Sequence, residues 1–255
     1  FLSTDVNLGK TDYIKYSSSF FTFGKNLIVI SIISFFSVMF DRWLIQYFYG
    51  AEEQGYFTFA QKVANTLFLF TSPILPLISR EFSISIKKKK LANVVSNYKF
   101  YGDLLIIMMS GICVFVGYHV DLLINYVGGS EFYDSKKIII LFLVWTVYRV
   151  RSHFSMLMIE SFEDTRILKK ISVITYTIGV PLVFFFVSPR SLFGLELGAF
   201  GVCLKILIIQ QIFNLLLMRN ISSRLNSNLW FKYFSDHFFN LIFILIIFVS
   251  RKFLF

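Results

Sequence analysis

Long apolar runs separated by short polar ones set the rhythm of this chain. A helix needs about 20 apolar residues to cross a ~30 Å hydrocarbon core. Runs of that kind predict helices over 26–48, 57–79, 104–127, 138–159, 171–188 and 198–218, with a further one over 238–255 that is either a truncated span or an interfacial segment. The connections are too short to hold a soluble domain. His119 and Asp121 sit near the end of the third run, so that helix is expected to stop at 118, with "HVDLLINYV" continuing along the interface. "GAEEQG" (50–55) and "YVGGSEFYDSKK" (126–137) read as glycine-bearing turns between antiparallel helices. The expected architecture is all-α: a polytopic membrane bundle of six to seven helices. It divides into a polar cytoplasmic linker (1–25), a six-helix lobe (26–220), a cytoplasmic connection (221–237) and the additional helix.

Composition supports the membrane class. The 255 residues are 56% hydrophobic and 19% aromatic, with 33 Phe, against about 45–50% apolar in soluble domains. The net charge of +10 raises the question of a nucleic-acid partner, but "KKKK" at 87–90 lies between apolar runs. Basic residues so placed read as topology signals, and no nucleic acid is expected. With the N-terminal side cytoplasmic, cytoplasmic segments carry 15 Lys and Arg, outer segments 5, and the spans themselves the remaining 5. Cys113 and Cys203 fall inside apolar runs and no ligand spacing surrounds them, so neither a disulfide, a metal site nor a cofactor is expected. Residue 1 is Phe, and the first 25 residues are polar and Ser-rich without a signal-peptide pattern; the chain is therefore expected to be part of a longer one.

The candidate chemistry lies in polar residues within the spans, where an ionised group is costly unless it faces protein or a watery cavity. In "FLVWTVYRVRSHFSMLMI" (142–159), a rotation of about 100° per residue puts Thr146, Arg149, His153 and Glu160 on one stripe, with Arg151 and Ser155 on the other side. Arg149 either lines a polar cavity, or pairs with Glu160 or another carboxylate, or snorkels. In the first span Ser34, Ser37 and Asp41 share a face, with Arg42 and Gln46 further round. Asp41 either pairs with Arg149 or binds a coupling cation, a proton or sodium. The alternative places Asp41 and Arg42 at the outer headgroup level beside an aromatic belt of Trp43 and Tyr47. The second span carries Gln61, Asn65 and Ser72 on a stripe, Lys62 beside it, and Pro73 and Pro76, which kink membrane helices. The sixth sets Gln210, Gln211 and Asn214 opposite Lys205. The amides suit interhelical hydrogen bonding; the lysine needs a cavity or a carboxylate. Enzyme motifs are absent: no G-x-G-x-x-G, P-loop, H-E-x-x-H or G-x-S-x-G occurs, and no enzymatic activity is expected.

"FDRWLIQYFYGAEEQGYFTFAQKVANTLFLFTSPILPLISREFS" (40–83), "FEDTRILKK" (162–170) and "LGAFGVCLKILIIQQIFNLLLMRN" (197–220) resemble, in order, the second half of bacterial oligosaccharide flippases of the multidrug/oligosaccharidyl-lipid/polysaccharide exporter superfamily. The last two resemble that family's loop after the tenth helix and its twelfth helix. The resemblance implies a C-terminal lobe whose six-helix N-terminal partner lies elsewhere, in the bacterial inner membrane. It implies translocation of an undecaprenyl-pyrophosphate-linked oligosaccharide, for O-antigen or capsule, by alternating access. The anionic cargo would meet Arg149, Arg151, Lys205 and Arg42, with Asp41, His153, Glu160, Gln61 and Asn65 lining the cavity or serving coupling. A drug or ion exporter of the same superfamily, or a polymerase or transferase of polysaccharide assembly, is the alternative.

Overall fold

The computed structural model describes residues 10–229; their regular structure is all helical, without strands. The elements are α1 (Lys10–Phe68), α2 (Leu75–Lys87), α3 (Leu91–Tyr118), the short α4 (Val120–Leu123), α5 (Lys136–Ser161), α6 (Thr165–Val187) and α7 (Gly198–Arg224). The expected segment 238–255, residues 230–237 of the expected connection and residues 1–9 lie outside the described residues. Five helices are long and apolar enough to cross a membrane.

The first of the five is two arms rather than one rod. Gly50 has φ +87° and ψ −178°, outside helical space and in the region that L side chains rarely adopt. Across it, Arg42 Nη2 donates to Gln61 Oε1 at 2.6 Å; on a straight helix those residues would stand roughly 28 Å apart. The chain therefore reverses at Gly50. The turn expected over 50–55 is this single residue, since helix resumes at Ala51. The second arm, 51–68, is the shorter and carries Glu52, Glu53 and Lys62, so the described residues hold five membrane-length segments where six to seven were expected.

The helix expected over 57–79 is broken. It ends at Phe68, and α2 begins at Leu75, because Pro73 supplies no N–H and Pro76 fits the first turn of a new helix. Thr71 Oγ1 and Ser72 Oγ donate to the carbonyls of Phe68 and Leu69 at 2.8 and 3.0 Å, adding to the backbone turn bonds those carbonyls accept from Thr71 N and Ser72 N. Ser72 thereby leaves the stripe it was expected to share with Gln61 and Asn65. The third helix does stop at Tyr118, followed by α4, a π-helical turn over 124–128 and a 3-10 turn over 130–135. At the start of α6, Asp164 accepts from Ile167 N and pairs with Arg224, tying the α5–α6 connection to the end of α7.

α5 is the axis of the bundle. In its most apolar stretch 72% of residues are buried, against 17–39% in the other four long helices. One of its faces packs on α2 and α3: Phe154 stacks on Tyr98 with ring centroids 5.0 Å apart, and Tyr98 Oη and Ser155 Oγ lie 2.8 Å apart. Another meets the second arm of α1 through Phe57 and Phe142, 5.3 Å apart. The outside is apolar: Ile28, Ile32, Phe35, Phe36 and Trp43 on the first arm, and Ile107 and Phe115 on α3, are all exposed. An apolar rim around a core that holds Asp41, Arg151 and Lys205 inverts the arrangement of a soluble domain, as lipid surroundings require.

Candidate functional site

Both arms of α1, together with α5, α6 and α7, enclose a cavity of ≈ 500 Å³, within the ~300–1,000 Å³ span of small-molecule sites. Helical geometry decides who reaches it. On α5, Trp145, Arg149, Ser152, His153 and Met156 form the facing stripe. The first arm contributes Ser34, Ser37, Asp41 and Arg42, the second Gln61 and Asn65, and α7 Lys205 and Gln210. Seven of the nine residues singled out from sequence thus meet around one space.

Their pairing differs from expectation. Asp41 does not join Arg149. Lys205 Nζ donates to both Asp41 carboxylate oxygens at 2.8 Å, with side-chain exposures of 5% and 6%. Asp41 is buried within the bundle, while Trp43 and Tyr47 stack on each other on the outer face, 5.2 Å apart. A Cβ added at Gly179 would lie 3.1 Å from Lys205 Cε, so α6 leaves room for the lysine by carrying glycine there. Both carboxylate oxygens accept from the ammonium, so Lys205 supplies the counter-charge at Asp41.

Arg149 has neutral partners. Its Nη1 donates to Asn65 Oδ1 at 2.5 Å, and its guanidinium lies 4.4 Å from the Phe68 ring centroid and 4.8 Å from that of Trp145. Trp145 is itself fixed: Nε1 donates to Gln210 Oε1 at 3.1 Å, Gln210 Nε2 donates to Ser152 Oγ at 2.7 Å, and Ser152 Oγ donates to the Arg149 carbonyl at 2.9 Å. The ring closes on the helix that carries the arginine. Trp145, Ser152 and Phe68 were not among the sequence candidates; the i, i+4 and i+3 spacings of Trp145 and Ser152 about Arg149 were the available signal.

Two residues fall elsewhere. Arg151 is 6% exposed and sits one turn from Ser155, on the α5 side that packs on α3. Glu160 keeps the stripe's angle but lies eleven residues beyond Arg149, roughly 16 Å along the axis, past the cavity's end. It is therefore no partner for Arg149 on the same straight helix. Thr146 turns its hydroxyl to the Phe142 carbonyl and is fully buried.

The charge balance follows directly. The lining holds Asp41, Arg42, Arg149 and Lys205. Once Lys205 neutralises Asp41, two arginines remain without a carboxylate among the cavity-lining residues. Arg42 Nε and His153 Nδ1 are also buried without a hydrogen-bond partner among the described residues. The site offers planar, multi-donor cations, which suit phosphate and carboxylate oxygens. No group of three His, Cys, Asp or Glu converges among the described residues. Comparison of the chain with protein-family models, curated proteins and solved structures finds no match.

Proposed function

We propose that the chain is part of a bacterial inner-membrane flippase that moves a lipid-linked oligosaccharide, its pyrophosphate head held by the cavity, across the bilayer for surface polysaccharide assembly. One observation carries the reading: a cavity between helices apolar enough to cross a membrane, lined by three cations and one carboxylate, with that carboxylate already paired. Leaving two arginines uncompensated in such a place is costly unless an anion or water visits them. The apolar exterior and the sequence resemblance to oligosaccharide flippases give the setting. A second six-helix lobe across the cavity belongs to the same proposal, and so does the inside-positive orientation with 80–99 cytoplasmic.

Depletion of the protein in a bacterium that carries it tests the reading. Surface polysaccharide is expected to disappear while lipid-linked repeat units accumulate in the inner membrane. Unchanged polysaccharide with increased drug sensitivity would favour the drug exporter and overturn the flippase.

A further inference from the structure

Beside the polar cavity runs a second space of ≈ 670 Å³ between the first arm of α1 and α6. Its walls are apolar: Phe36, Met39, Phe40 and Trp43 on one side, Val173 and Val180 on the other. Residues 33, 36, 37 and 40 face residues 173, 176, 177 and 180, the same i, i+3, i+4, i+7 stripe on each helix. Phe36, Trp43 and Val180 are exposed, so the groove opens on the apolar outer face of the bundle. Ser37 and Tyr176 line both spaces. A serine and a tyrosine, the latter with an apolar ring and a polar tip, suit a boundary between wet and dry surroundings.

From this junction we infer that the groove holds the hydrocarbon chain of an anionic lipid whose head occupies the arginine cavity, the chain passing between Ser37 and Tyr176. The inference rests on the proposed function for its anionic head and adds the tail's place and its route. A soluble anion needs the arginines but has no use for an apolar groove on the outer face. A neutral lipid suits the groove but leaves Arg42 and Arg149 without a counter-charge. An anionic amphipath satisfies both, because methylenes stay out of water while phosphate oxygens reach the guanidinium groups.

The test uses the full chain in phosphatidylcholine nanodiscs with trace amounts of two lipids carrying the same diazirine-bearing tails, one headed by a phosphate monoester and the other by phosphocholine. After illumination, cross-linked peptides are mapped by mass spectrometry. Peptides containing 33–43 and 173–180 are expected to be labelled about tenfold more by the phosphate-headed lipid, the ratio that one retained charge-assisted contact produces. Arg149→Gln, which strands no carboxylate, should bring the two lipids close to equal. Val180→Trp, on the exposed wall and away from the cavity, should lower groove labelling by the phosphate-headed lipid. Equal labelling by both lipids in the wild type would identify the groove as ordinary lipid-facing surface and overturn the inference, as would head-selective labelling elsewhere. Head-selective groove labelling together with unchanged polysaccharide in depleted cells would preserve the groove and remove the flippase.

Discussion

Asp41→Asn is expected to destabilise the protein severely, and Lys205→Met to do the same, while the double variant recovers most of the loss. Each single change leaves an ion or a strong polar group in a site where the wild-type side chains are only 5–6% exposed. Breaking one partner of a buried pair costs about 3–5 kcal/mol, whereas replacing both with neutral groups of similar volume is often tolerated. At 2–4 °C per kcal/mol for a domain of this size, each single variant should melt roughly 6–20 °C lower. Melting in detergent, followed by the loss of monodisperse protein on heating, reads this out. Single variants as stable as wild type, or a double variant as unstable as the two losses added, would contradict the latch between the first arm and α7.

Arg149→Ala should behave in the opposite way. Its hydrogen-bond acceptor is the Asn65 amide and its neighbours are the rings of Phe68 and Trp145, so its removal strands no anion. Protein level and melting temperature are expected to hold, and affinity for an anionic head to fall. Truncating one partner of a buried charged contact costs about 2–5 kcal/mol, which is roughly 30-fold or more in affinity. Arg149→Lys keeps the charge but loses the planar fork and the stacking, and should lie between. Full surface polysaccharide from Arg149→Ala at normal protein level would sink the arginine's role. A collapse in protein level instead would point to a structural function.

The contrast between these two sites marks how far the sequence could be read. Helical periodicity supplies the angle of each polar residue around its helix, and that placed Ser34, Ser37 and Asp41 on one face and put Arg151 away from Arg149. It supplies neither which neighbouring helix stands opposite nor how deep a partner lies. Angle alone therefore leaves Asp41 open to Arg149, a cation or the headgroup level, and does not point to Lys205, 164 residues along the chain, which is the group in contact. Glu160 shows the converse error: its angle matches the stripe, but its height does not. The break at 69–74 follows from proline chemistry that was visible, yet the apolar run continues through it and conceals where the first helix ends. The Trp145–Gln210–Ser152 ring depends on α5 and α7 packing together, a long-range fact that local pattern does not contain.

The central claim is that a net-positive, water-accessible cavity lies inside this membrane bundle. Ser34 lines it, is half-buried and differs from cysteine by one atom. With Cys113 and Cys203 replaced by alanine, Ser34→Cys in the purified protein is exposed to two methanethiosulfonates, one bearing a sulfonate and one a trimethylammonium. Electrostatic focusing by Arg42 and Arg149 predicts that the sulfonate reagent reacts roughly tenfold faster, and that Arg42→Gln with Arg149→Gln erases the difference. No reaction with either reagent, or faster reaction with the cation, would contradict it.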